Sequence, residues 1–367
     1  MIKKSLLIAH VALFSFGYSF AVFALPPFFT SLGSDQLFLG EYGFLLMLPN
    51  VVLPLIFSKL KNLNLTSKLI ILSTIIVDIS IIFFTFERSF SIYLFLVLVL
   101  GIGQFMWWIT TEIFFTGISR GTNLINVYSI VWGASYLISP IFAGYFIPLF
   151  GYPIIFVLSF IFIFISIILF VGSIKNEKFN SVVNQIQKHG NKILIESFFP
   201  SFVTGLSIGL LSSIFPGYVL KSGINVLGLG VLTAMMSLAR LIGFLYLINK
   251  LQLQKLKFLM DISFILLLII IIPAFTMNYY ALLVMMLVIG FSSSLGISAP
   301  LIYISNNEDA NISRNIAVYE FSFGISVSAF ALIFGYVSQD IGIRIPYIID
   351  FIITFALSIF FILKKYK

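Results

Sequence analysis

Eight ionisable side chains interrupt otherwise apolar stretches of this sequence: His10, Glu41, Asp78, Glu112, Arg240, Asp261, Glu320 and Asp350. A charge at the centre of an apolar helix in lipid costs roughly 2.5–3.5 kcal/mol on insertion scales, so each needs a partner, water or a task. Arg240, in SLARLIGF, comes first because deprotonation cannot remove its charge. Lys250 lies a short way beyond it, and Glu320 follows Arg314 at a similar depth. Glu320 and Glu112 are the two candidate partners. The set suits anion binding, or proton coupling by a carboxylate that alternates between protonated and arginine-paired states. It also suits a fixed ion pair, or an arginine whose head reaches toward lipid headgroups. His10 is a candidate proton relay, with a polar gate or a hydrogen-bonded core histidine as the alternatives. Asp78, Asp261 and Asp350 fit packing or folding roles better than transport.

A second group surrounds Glu112. Gln104, Trp107, Trp108 and Thr111 recur at helical spacing and share one face. Aromatic rings with an amide and a hydroxyl suit an organic solute with apolar surface and a few hydrogen-bonding groups. The alternative is a tryptophan belt at the membrane interface. Tyr18, Tyr128 and Tyr319 are weaker aromatic candidates.

The elements that must position these groups follow from composition. Hydrophobic residues make up 60% of the chain and charged residues 9%, against roughly 25% charged in soluble domains. Such a chain cannot cover a water-facing surface. Apolar runs long enough to span a bilayer dominate, and they divide into twelve: 5–25, 39–57, 67–86, 90–115, 123–149, 152–173, 196–219, 225–249, 257–275, 279–304, 315–338 and 345–363. Helices are required because lipid offers a bare peptide group no partner. A transmembrane barrel would need polar and apolar residues in alternation, which runs such as IILSTIIVDISIIFF lack. The first run resembles a signal peptide after Lys3 and Lys4, but it is too long, and Pro26-Pro27 stands where cleavage would occur.

The net charge of +8 is explained by topology. Lys59, Lys61 and Lys68, Lys250, Lys255 and Lys257, the lysines of 173–192 and those at both ends fall on one side. Only Arg88, Lys221 and Arg344 fall on the other. This positive-inside bias puts both termini in the cytoplasm and leaves no basic patch for nucleic acid. The chain has no cysteine and only two histidines, His10 and His189. Thiol catalysis, cysteine-ligated metal and a histidine metal cluster are therefore excluded, and no cofactor is implied. A phosphate-binding P-loop is also missing from the sequence, which argues against an ATP-driven pump.

The chain carries an internal repeat. INVYSIVWGASYLISPIFAGYFIPLFG (125–151) and IAVYEFSFGISVSAFALIFGYVSQDIG (316–342) share Ile125/Ile316, Val127/Val318, Tyr128/Tyr319, Gly133/Gly324, Ser135/Ser326, Gly144/Gly335, Tyr145/Tyr336 and Gly151/Gly342. Further pairs at nearly the same offset are Gly17/Gly205, Leu39-Gly40/Leu227-Gly228, Met47/Met235 and Gly101/Gly290. The polar stretch SIKNEKFNSVVNQIQKHGNK separates the halves. The expected organisation is a six-helix bundle over 1–173, a cytoplasmic linker over 174–195 and a second bundle over 196–367. An even number of crossings per half makes the repeats parallel, as in two-bundle secondary transporters. Glu320 stands where the first half has Ser129, so the second half carries a carboxylate that the first lacks.

Six plus six spans, the cytoplasmic linker and the passage LPPFFTSLGSDQLFLGEYGFLLMLPNVVLPLIFSKL resemble the major facilitator superfamily over nearly the whole chain. The local motifs depart from that family. The loop FSKLKNLNLTSK is basic but lacks the family's glycine and aspartate, and span four, LVLVLGIGQFMWW, lacks its arginine. SPIFAG keeps Pro140 and Gly144 of the antiporter signature and carries Ser139 and Ala143 where glycines would stand. Small residues there let helix backbones approach closely. The resemblance implies that spans one, four, seven and ten line a central cavity and that two, five, eight and eleven flank it.

These readings give an all-α integral membrane protein of twelve helices in two pseudo-symmetric bundles. The expected function is secondary active transport of a small organic solute across the plasma membrane by alternating access. Proton coupling fits the ionisable set, with antiport or efflux favoured, and the expected assembly is a monomer. The alternatives are a transporter-like sensor or scaffold without flux and, less well supported, a membrane-embedded enzyme.

Overall fold

The computed structural model describes residues 3–57, 62–86, 89–118, 124–174, 195–248, 253–306 and 312–365. The linker reading at 174–195 falls almost wholly outside them. The described residues form fourteen α-helices, α1 Lys4–Ser31, α2 Gln36–Met47, α3 Pro49–Phe57, α4 Leu63–Phe83, α5 Phe90–Ile118, α6 Leu124–Phe150, α7 Tyr152–Ile174, α8 Ile195–Lys221, α9 Val226–Ile248, α10 Leu253–Leu267, α11 Ile272–Phe275, α12 Tyr279–Asn306, α13 Ile312–Asp340 and α14 Ile345–Lys365. Eleven segments are long and apolar enough to cross a membrane, and Ile345–Phe361 is a shorter twelfth. Twelve crossings in alternating direction put both chain ends on one membrane face. The opposite face is here called distal.

Prolines decide where the helices depart from the expected spans. The second span is broken at Leu48 into α2 and α3, because Pro49 has no N–H to continue the ladder. The ninth is broken between α10 and α11 by a 3-10 turn, Leu268–Ile271, just before Pro273. The first span runs on past Pro26 and Pro27 to Ser31 instead of ending there. The two prolines leave the carbonyls of Val22 and Phe23 without donors, which a helix near its end tolerates. The Thr30 hydroxyl donates to the Pro26 carbonyl at 2.8 Å.

Lipid as solvent inverts the usual face pattern. On α7 the serines Ser159, Ser166 and Ser173 are buried, while Phe164, Ile168 and Val171 are exposed. On α14 Asp350, Thr354 and Ser358 are buried at four-residue spacing, and Phe355, Ile359 and Phe360 face outward. Large apolar side chains lose nothing in hydrocarbon, so polar and small residues take the helix contacts. Buried hydroxyls donate within their own helix, as Ser73 and Thr74 do to the Ile70 carbonyl and Ser213 does to that of Gly209.

One apolar core joins residues from Leu7 to Phe170. Two others draw only on residues from Val203 to Tyr347. Turns recur across the same division. Gly33 (φ 84°) follows α1 and Gly223 (φ 92°) follows α8, and each precedes a capping side chain, Asp35 or Asn225. Gly151 (φ 77°) and Gly342 (φ 144°) likewise follow α6 and α13. These backbone angles favour glycine, so each turn is written the same way twice. Between the cores, α13 packs on α2 and α3, and α6 packs on α9.

Candidate functional site

Arg240 lies on α9, half-buried, and its Nε donates to Ser293 Oγ of α12 at 3.0 Å. The contact depends on backbone closeness. A methyl on Gly290 would collide with the Met236 carbonyl oxygen, and one on Gly243 with the Ser294 hydroxyl. Glycines on both sides of the arginine thus bring α9 and α12 within reach of one another. The two terminal nitrogens of Arg240 have no hydrogen-bond partner among the described residues. The guanidinium borders a small cavity with Ser237, Leu241 and Phe244 of its own helix and Trp132, Gly133 and Tyr136 of α6. Arg240 is therefore presented across the contact between the two halves of the chain.

A line of rings leads away from it. Trp132 and Tyr136, one helical turn apart, have ring centroids 4.6 Å apart. Trp108 of α5 meets Trp132 edge-on at 4.9 Å. The Trp108 indole is within hydrogen-bonding reach of the Glu112 carboxylate, and Glu320 of α13 is close enough to Glu112 for their charges to interact. Glu320 in turn reaches Asn50 of α3. Pro49 starts the helix that carries this asparagine, and the contact also needs Gly324, whose added methyl would lie 3.0 Å from the Asn50 carbonyl carbon. Glu112 is exposed and Glu320 half-buried. The arrangement runs from two carboxylates, past three rings, to one guanidinium.

Most of the other candidates are held in helix contacts of their own. His10 is fully buried: its Nδ1 lies 2.9 Å from the Ser166 carbonyl oxygen, and Trp107 Nε1 donates to its Nε2 at 3.3 Å. A carbonyl only accepts and an indole N–H only donates, so the ring is held as the neutral Nδ1–H tautomer. Trp107 stacks on Phe14 at 3.8 Å inside the first core, away from its neighbour Trp108. Gln104 and Thr111 are buried, each with a side-chain oxygen that lacks a partner among the described residues. Tyr319 donates to the Ile297 carbonyl at 2.9 Å. Asp350 Oδ1 accepts from Ser207 at 3.2 Å and Thr354 at 3.0 Å, which ties α14 to α8. Asp78 is buried on α4.

The SPIFAG segment divides between two neighbours. Ser139 donates to the Ser19 hydroxyl of α1 at 2.6 Å. Gly144 faces α9, where an added methyl would lie 2.9 Å from the Leu227 Cα, and Gly230 of α9 abuts the Pro140 carbonyl. Ala143 is wholly buried.

Sequence reasoning missed Trp132, Tyr136, Asn50 and Ser293. A signal for the first two was available. Inside the repeat, Trp132 and Tyr136 stand where the second half has Phe323 and Val327, departures of the same kind as Ser129 and Glu320.

The sequence profile of the Major Facilitator Superfamily matches residues 7–308. The chain belongs to this superfamily. No curated protein matches it significantly. Among solved structures, a single-substitution mutant of the nucleoside transporter NupG aligns with a TM-score of 0.74 at 14% identity, over 98% of both chains. The nucleoside transporter NupG itself aligns at 0.71 and 13%, over 99% of each chain. A bacterial homolog of the human lysosomal transporter Spinster, in an inward-facing and occupied conformation, aligns at 0.71 and 13%, over 98% of this chain and 95% of that one. These likenesses extend to the fold. As a member of the superfamily the chain is a multi-pass membrane transporter, and its candidate site lies where helices of the two halves meet.

Proposed function

We propose that the chain carries a small organic solute across the plasma membrane by alternating access, with 1–173 and 196–367 as rocking lobes and both termini cytoplasmic. The observation that supports this best is one-sided closure. At the distal face α2 and α13 cross in backbone contact, where a methyl on Gly40 would lie 2.8 Å from the Gly335 Cα. Gly144 and Gly230 bring α6 and α9 equally close there, and the Gln36 N–H donates to Gln339 Oε1 at 3.2 Å. The charged groups of the site sit in the other half of the membrane, and Glu112 is exposed. A pathway shut at one face, with an exposed carboxylate in the other half, fits one half of an alternating cycle.

Glu112 and Glu320 come from different lobes and are close enough for their charges to interact. Two nearby carboxylates share a proton more readily than they carry two charges, which ties lobe approach to proton uptake. The chain lacks cysteine, so spin labels can be placed without background. Labels at Leu32 and Ile341 report the distal face, and labels at Val52 and Ile316 report the terminal face. The expected result is reciprocal: lowering the pH lengthens one distance as it shortens the other, and Glu112→Gln with Glu320→Gln removes that response. Labels that keep one distance across pH and added solutes would point to a sensor without flux. Gradient-driven uptake into proteoliposomes that survives the double replacement would end the coupling.

A further inference from the structure

The site is charged oppositely at its two ends. At one end are Glu112 of α5, exposed, and Glu320 of α13, half-buried, close enough for their charges to interact. At the other, Arg240 is held by Ser293 through Nε, and its two terminal nitrogens have no partner among the described residues. Between them run Trp108, Trp132 and Tyr136, in ring-to-ring steps of 4.9 and 4.6 Å. An arginine fork presents two parallel donors to a carboxylate or phosphate-like group. A carboxylate pair beside an indole presents acceptors and a ring face to an ammonium group. If the charges were meant for each other, the shortest solution would be an ion pair. Here the hydrogen bond of the guanidinium goes to a serine hydroxyl, and aromatic surface lies in between.

We propose that the transported solute is an elongated organic zwitterion, with a cationic amine at one end of an apolar or aromatic body and an anionic group at the other. The amine sits between Glu112 and Glu320 and the body lies along Trp108, Trp132 and Tyr136. The anionic group takes the free fork of Arg240. The inference rests on the transporter reading and deepens it by naming the substrate class. An α-amino acid, whose charges are adjacent, does not bridge the two ends. A cation alone leaves the guanidinium unpaired, and an anion alone leaves the two carboxylates facing each other.

The test is a binding series on the purified full-length chain, read by quenching of its tryptophan fluorescence at neutral pH. The probes are para-aminomethylbenzoate, its amine-only analogue para-methylbenzylamine, its acid-only analogue para-methylbenzoate, and phenylalanine. The zwitterion is expected to bind about tenfold or more tightly than each of the others, since one well-placed charge-assisted contact is worth at least that factor. Arg240→Gln should erase its advantage over the amine and leave its advantage over the acid, and Arg240→Lys should keep part of both. Glu112→Gln with Glu320→Gln should do the reverse. The ranking in the unsubstituted protein decides the matter even if a variant does not fold. Equal binding of zwitterion and amine, an advantage over the amine that survives Arg240→Gln, or no binding by any probe overturns the proposal. The spin-label distances keep the two readings apart. Moving labels with a failed ranking would sink only the substrate class, and a correct ranking with static labels would sink only transport.

Discussion

His10 shows how little a residue type reveals without its neighbours. A histidine on a membrane helix is a natural proton carrier, yet both ring nitrogens here are engaged, one by the Ser166 carbonyl and one by the Trp107 indole. Protonation of Nε2 would place its new hydrogen against the indole N–H. The residue therefore acts as a clamp joining α1, α5 and α7. His10→Ala is expected to lower thermal stability in detergent by about 1–3 kcal/mol, because a buried donor and acceptor lose their partner. The reciprocal spin-label response to pH should persist in that variant. A pH response lost together with His10 would make it a relay instead. Trp107 and Trp108 carry the same lesson. They are adjacent and chemically identical, but one is core and the other belongs to the candidate site.

At the scale of elements, the glycines of α2, α6, α9 and α13 matter more than any charge. Gly40 and Gly335 let two backbones touch at the distal face, and nothing larger fits. A valine at Gly335 should wedge α13 from α2. Overpacking of this kind costs about 1–3 kcal/mol, or roughly tenfold in the balance between conformations. The expected outcome is a longer Leu32–Ile341 distance in a protein that still folds. An unchanged distance would mean that this crossing does not hold the distal face shut. Sequence reading found the small residues of SPIFAG, but their neighbours came only with the packing. Ser139 faces α1 while Pro140 and Gly144 face α9, a division set by which way each side of α6 turns. The breaks at Pro49 and before Pro273 were also missed, since both lie inside runs apolar enough to pass as one span.

For the molecule as a whole, the sequence determined that the chain crosses a membrane as helices, how many times, and that its halves repeat. These follow from one physical constraint. Hydrocarbon satisfies no backbone polar group, so length and hydropathy alone mark the spans. The repeated turns at Gly33 and Gly223 sit at the same place in each half for the same reason, that a chain leaving one helix must reverse in few residues. Which side chains meet was decided by tertiary structure alone. Among the rotations that keep a helix's polar side chains out of lipid, another backbone must fix one. For α5 the fixing contacts are Gly101 against the Leu46 carbonyl and Gly103 against Val77. They send Trp107 to His10 and Trp108 to Trp132. For α9 they are the close approaches at Gly243 and Gly290, which place Arg240 against Ser293 and open to the aromatic line. Hydropathy keeps charged and polar side chains away from lipid, but it does not say which neighbour each one meets. Only the shapes of neighbouring helices choose one.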